Sequence, residues 1–244
     1  MDKYQEIFGD KSRILVVFAH PDDAEIMAGG TISRLTADGK TVRVVKMTSG
    51  ENGSRQNEIT RKDLKDTRVN EDEEAMNIMG IKPEDNVYLD LGDGSVENDL
   101  STIEKLAFQI RQFKPDIIIT HNPENVIVHF AEGENWVNHR DHRHTGQSVV
   151  DAAYPYARDI NFFPEQLKRD GVESHITKEF LFTDFYDHPD TIAIDVTDFM
   201  ENKIKALSAH ASQFDIDNAR NAGEFIAMEE EGRRWEKFRH VVAD

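Results

Sequence analysis

The stretch RILVVFAHPDDAEIMAGGTISRLTADGKTVRVVKMTS, residues 13–49, decides the fold class. It opens on a short β-branched apolar run (13–19), the pattern of a strand buried on both faces. Residues 24–37 then have helical composition and stop at Asp38-Gly39, and 41–49 return to a strand pattern. Strand, helix and strand in that order make one βαβ unit. The alternation continues outward from it. Residues 55–79 read as a helix ending at Gly80, 86–91 as a strand, 101–113 as a helix closed by Lys114-Pro115, and 116–120 as a strand. Further on, 143–158 read as a helix, 179–185 and 191–196 as strands, and 198–213 as a helix. The closing stretch EFIAMEEEGRRWEKF is expected to pack Phe225, Met228, Trp235 and Phe238 along one helix face. The pattern predicts an α/β fold with a mainly parallel sheet flanked by helices. Ligands of such a sheet gather at the carboxyl ends of its strands.

Composition narrows the functions. At about 150 residues per domain, 244 residues make one large domain, 1–244. The 29 Lys and Arg against 47 Asp and Glu leave a net charge of −18, which repels phosphate backbones and argues against nucleic-acid binding. The chain has no cysteine, so disulfides, thiolate metal sites and a cysteine nucleophile are excluded. Any metal must be held by nitrogen and oxygen. The first residues, MDKYQEIFGDKSR, lack the apolar core of a signal peptide, and no apolar run approaches the ~18 residues of a membrane span. A soluble cytoplasmic protein is the expectation, and the sequence leaves a homo-oligomer open. The acidic runs 71–74 and 229–231 read as solvated helix faces.

Two segments carry chemistry. AHPDDAEI (19–26) places His20, Asp22 and Asp23 at the carboxyl end of the first strand, on a turn stiffened by Pro21. One imidazole and two adjacent carboxylates suit a divalent ion, and neighbouring carboxylates point apart, so one can ligate while the other faces the reacting water. At least one of the two is also expected to cap the helix that follows. HRDHRHTG (139–146) spaces His139 and His142 three apart, on one face of a helix start, with Asp141 between them. A polar loop of exposed histidines is the bland alternative. It weakens beside AHPDD, because a histidine and a carboxylate still need a third ligand to make an open catalytic site.

AHPDDAEIMAGGTI followed by HRDHRHTG resembles the metal-dependent N-acetylglucosaminyl deacetylase superfamily, called PIG-L or LmbE-like. The likeness extends to Arg68, Glu71, Ala75 and Met79-Gly80, to LDLGDGS (89–95), and to KIKALSAHASQ (203–213). It implies a single Rossmann-like domain whose zinc, or another divalent ion such as Fe2+, is held by His20, Asp23 and His142. It also implies that Asp22 is the general base, that His139 stabilises the oxyanion or assists proton transfer, and that Asp141 orients His139. Arg68 and Asp93 would contact a small N-acetylated sugar conjugate. The reaction implied is hydrolysis of an acetamide by metal-activated water. The stretch 123–138 is longer than the family's usual connection and would border the site. His121 and His129, nearby, read as supporting or loop residues. A non-haem Fe(II) oxygenase with a 2-His-1-carboxylate site would also use these residue types, but that chemistry calls for a jelly roll of many short strands. A non-catalytic metal- or sugar-binding domain is the third reading, and a structural metal there would close with four protein ligands.

Overall fold

Alternate side chains of the first strand feed two separate cores, and that fixes the layers. The structure is a computed structural model that describes residues 1–54, 59–130, 133–184 and 188–243. The expected helix start at 55–58 and strand end at 185 lie outside the described residues. The chain runs α1 (Tyr4–Phe8), β1 (Arg13–Phe18), α2 (Asp23–Ala37), β2 (Thr41–Thr48), α3 (Arg61–Ile78), β3 (Asn86–Leu91), α4 (Leu100–Phe113) and β4 (Ile117–Thr120). It continues with β5 (Ile127–His129), β6 (Asn135–Val137), α5 (Arg140–Asp151), β7 (Glu179–Phe182), β8 (Thr191–Asp195), α6 (Met200–Ala209), α7 (Ile216–Ile226), β9 (Met228–Glu230) and β10 (Arg233–Val242). From β1, Ile14, Val16 and Phe18 join the core under α2, α3, α6 and α7. Leu15 and Val17 join the opposite core, under α4 and α5.

The sheet order is β3-β2-β1-β4-β7-β10-β8, with β9 paired to β10. The first five of these are mutually parallel, and β10 is antiparallel to both of its neighbours, β7 and β8. This is the mainly parallel α/β sheet flanked by helices that the sequence predicts. The chain leaves β1 toward β2 and β3, then returns to place β4 on the other side. That reversal opens a crevice at the carboxyl ends of β1 and β4. Among the described residues no helix is long and apolar enough to cross a membrane.

Three expectations are corrected. The helix read at 143–158 starts earlier, at Arg140; α5 passes at Asp151 into a π-helical segment over Ala152–Ala157, with non-helical backbone at Tyr154 ahead of Pro155. The closing stretch is not one helix: α7 ends at Ile226, and Met228, Trp235 and Phe238 lie on a β9–β10 hairpin turned by Glu231 and Gly232, both at positive φ. In the acidic run 71–74, Asp72 is fully buried and accepts from Lys46 Nζ at 2.8 Å, so that face is not wholly solvated.

Candidate active site

The turn after β1 places its two aspartates differently. Asp22 sits at the N-cap position of α2 with φ 92°, a backbone region that costs a non-glycine residue about 1–3 kcal/mol. Its side chain makes no cap. Oδ2 instead accepts from Arg68 Nη2 at 3.0 Å. Asp23 turns back, and its Oδ2 accepts from the His20 backbone N–H at 2.8 Å. The expected capping role therefore falls to neither carboxylate. Asp23 Oδ2 lies 3.2 Å from His20 Nδ1, and Oδ1 lies 3.2 Å from His142 Nε2.

The second histidine segment arrives on α5. His139 is its N-cap, and Nδ1 accepts the Asp141 backbone N–H at 3.2 Å. His142, within the first turn, stacks on His121 with ring centroids 3.8 Å apart and planes 8° apart. His121 follows β4, is fully buried, and accepts the Ala19 N–H at Nε2. Gly146 permits this approach, since a Cβ there would meet the His121 carbonyl oxygen at 2.3 Å. His20 and His142 are thus 5.4 Å apart between ring centroids, at the same end of the sheet.

Two residues stand elsewhere than expected. The Asp141 carboxylate faces His20, not His139: Oδ2 is 3.4 Å from His20 Nε2, and the carboxylate also accepts from Gly94 and Val96 N–H. Only the backbone of Asp141 reaches His139. Asp93 Oδ1 lies 3.2 Å from the same His20 Nε2, and Oδ2 accepts from Asn52 N–H. Together with Asp23, the two carboxylates outweigh burial, hold the His20 pKa well above its usual range and fix the orientation of the ring.

Arg68 lines the cavity, yet both its Nη atoms are engaged by the protein, Nη2 by the Pro21 carbonyl (2.6 Å) and Asp22 and Nη1 by the Gly50 carbonyl (3.0 Å), while Nε is buried without a partner among the described residues. Its placement fits holding the Asp22 turn better than gripping a substrate. Arg68→Ala should therefore lower kcat roughly 10- to 100-fold, the range for losing a hydrogen bond to a charged group, with a smaller change in KM. Steady-state kinetics check this, and a pure KM effect would return Arg68 to substrate binding.

The resulting cavity, about 230 Å3, is lined by His20, Asp22, Gly53, Arg68, Asp93, His139 and His142. Burial pushes the Asp22 carboxyl up to about 6, against the pull of Arg68. Burial also acts to raise Asp23, but His142 and His121 outweigh it and hold that carboxyl well below its usual range. Burial drives His142 down to about 4 and, with His20 beside it, lowers His139. At neutral pH Asp23 is thus ionised and His142 neutral, the forms a cation requires of its ligands. Ligand atoms of His20, His139 and His142 lie within 4.8 Å of one another, as do those of Asp23, His121 and His142. A nitrogen-and-oxygen donor set of this kind fits a divalent ion such as zinc.

A buried layer behind Asp22 was not legible in the sequence. His210 Nε2 lies 2.9 Å from Glu25 Oε1, both fully buried, and Glu25 outweighs the effect of burial to raise His210 to about 9.

The chain is 30% identical over 219 residues to a diacetylchitobiose deacetylase of Thermococcus kodakarensis, covering 88% of this chain and 75% of that one. It is 28% identical over 211 residues to a 4-oxalmesaconate hydratase of Pseudomonas putida, covering 82% and 73%. Among solved structures, the N,N'-diacetylchitobiose deacetylase of Pyrococcus horikoshii superposes with a TM-score of 0.82 at 26% identity, covering 98% of this chain and 86% of that one. Residues 15–153, spanning both histidine segments, match the model of the GlcNAc-PI de-N-acetylase family, PIG-L, and the chain belongs to that family.

Proposed function

We propose that this protein is a zinc-dependent N-deacetylase that hydrolyses the acetamide of an N-acetylglucosamine-type sugar or conjugate in the cytoplasm. The observation that carries the reading is one small cavity that brings a partly buried carboxylate with raised pKa, Asp22, to a neutral imidazole, His139, beside a nitrogen-and-oxygen ligand set. His20, Asp23 and His142 would hold the ion. When bound, a divalent ion there polarises a carbonyl and makes water a stronger acid.

The chain's own residues supply the proton chemistry. Arg68 holds Asp22 Oδ2, which leaves Oδ1 to take the proton of the attacking water. The same carboxyl then delivers a proton to the leaving amine. His139 Nδ1 is occupied by a backbone N–H, so the neutral ring carries its proton on Nε2 and donates it as a hydrogen bond to the developing oxyanion. Asp141 and Asp93 orient His20.

The two other readings fit less well. A parallel sheet covered by helices is not the jelly roll an Fe(II) oxygenase calls for, and the three-ligand set does not close as a structural metal site would. The chain is also similar to the hydratase above, so an amide cleavage assay is the deciding experiment. Free amine released from N-acetylglucosaminides should vanish on chelation and return with zinc. His142→Ala should lose stoichiometric metal. Full turnover in the chelated protein, or a requirement for O2, would overturn the proposal.

A further inference from the structure

Three side-chain contacts between three elements close into a ring that passes through Asp22. The first is Arg68 Nη2 on Asp22 Oδ2, which joins α3 to the N-cap of α2. Glu71 neighbours Arg68 one helical step along α3. Both its oxygens accept from Ser212, one from the backbone N–H and one from the hydroxyl, each at 2.7 Å. Just before Ser212, His210 Nε2 lies 2.9 Å from Glu25 Oε1. Glu25 is in the first turn of α2, one helical step from Asp22, and there the ring closes. The turn that carries His210 and Ser212 is itself stiff. The Gln213 and Phe214 N–H groups both donate to the His210 carbonyl, and Gln213 Nε2 donates to Ser212 Oγ. It follows α6, which packs against both α2 and α3. His210 and Ser212 belong to the KIKALSAHASQ stretch, and neither lines the small cavity.

We propose that Ser212 is a positioning residue for the hydrolysis: through Glu71 it fixes α3 against α2, so that Arg68 holds Asp22 Oδ2 and leaves Oδ1 to the water. The inference rests on the deacetylase reading above and adds the device that aims its base. The backbone shows why a device is needed. Asp22 stands at φ 92°, and a non-glycine residue stays there only where its surroundings over-determine it. Arg68 supplies restraints on Asp22 Oδ2 and on the Pro21 and Gly50 carbonyls. It can hold the turn only as firmly as α3 is held, and Glu71 is the tie on that helix beside it. Ser212 meets two carboxylate oxygens with two donors, which sets direction as well as distance. His210 and Glu25 return the restraint to α2. Ser212 also borders the larger cavity that shares Gly53 with the small one, so direct contact with substrate is the alternative to be separated.

The test measures kcat, KM and bound metal of the zinc-loaded protein on N-acetylglucosaminides, read as free amine. Ser212→Ala should lower kcat about tenfold, with KM within about twofold and zinc at the parent's stoichiometry. Ser212→Thr, which restores the hydroxyl, should bring kcat back to within about twofold. Glu71→Gln, at a position that lines neither cavity, should act like Ser212→Ala. In an Arg68→Ala background the ring is already open, so adding Ser212→Ala should change kcat by less than about twofold. Losses that multiply in that double variant, a rise in KM alone, loss of zinc, or an unchanged kcat in Ser212→Ala or Glu71→Gln would overturn the proposal. Should the parent release no amine, the deacetylase reading fails, and the ring is decided by amide hydrogen exchange. Ser212→Ala should speed exchange over residues 20–27 by about threefold or more and leave residues 103–113, on the other face of the sheet, unmoved. Unchanged exchange at 20–27, or faster exchange in both segments, would overturn it.

Discussion

Asp22→Asn is expected to keep its metal and lose roughly 10²–10⁴-fold in kcat, the usual cost of removing a positioned general base. Asp23→Ala is expected to lose the metal itself. The two carboxylates are neighbours in sequence, and the turn separates their tasks. Asp22 is held at positive φ, tied through Oδ2 to Arg68, and faces the cavity. Asp23 lies between two imidazoles at 3.2 Å from each, where its ionised form is strongly favoured. Metal stoichiometry and kcat, measured side by side on both variants, decide the assignment. Loss of metal from Asp22→Asn with retention in Asp23→Ala would exchange the roles.

The largest expected stability effect lies away from the cavity. Glu236 on β10 and Lys203 on α6 are fully buried and meet at 2.6 Å. Glu236 also accepts from the Gly30 and Thr31 backbone N–H groups in the middle of α2, and Lys203 donates to the Ile26 carbonyl. Glu236→Ala strands a buried ammonium and removes the acceptor of two backbone donors. Breaking such a pair costs about 3–5 kcal/mol, or roughly 6–20 °C in Tm for a chain of this size. Glu236→Gln, which keeps the acceptor oxygen, should lose less. Thermal unfolding of the two variants checks this, and a Tm for Glu236→Ala within about 2 °C of the parent would show that the pair is not coupled to the fold.

Much of the sheet could be read directly because β1 and β4 are buried on both faces and so appear as nearly continuous apolar runs. The misread strand, β10, fails that test for a physical reason. Its most buried side chains are Glu236 and Phe238, so a charge occupies an inward position and breaks the apolar alternation. Trp235 and Phe238 then mimic helical spacing. Asp72 was hidden in the same way, since an acidic run looks solvated until its partner is known. The available signal was Lys46, a cation inside an apolar strand that needs a buried carboxylate. At the site, the residue types and their spacing were legible, whereas the direction of Asp141 was not. Which imidazole a carboxylate faces depends on the Gly94 and Val96 amides, which come from a different loop.

The position of β10 also bears on how the protein is made. The contacts from Glu236 to α2 span 206 and 205 residues, among the longest separations a chain of this length allows. While the polypeptide is being synthesised, β7 has an unpaired edge and β8 has no neighbour until residues 233–242 have emerged. The Gly30 and Thr31 backbone N–H groups of α2 lack their Glu236 acceptor for the same interval. Contacts so distant in sequence form late and slowly, and exposed strand edges invite association with other chains. A nascent chain of this protein therefore carries the AHPDD turn for more than 200 residues of synthesis before the strand whose Glu236 braces α2 has emerged.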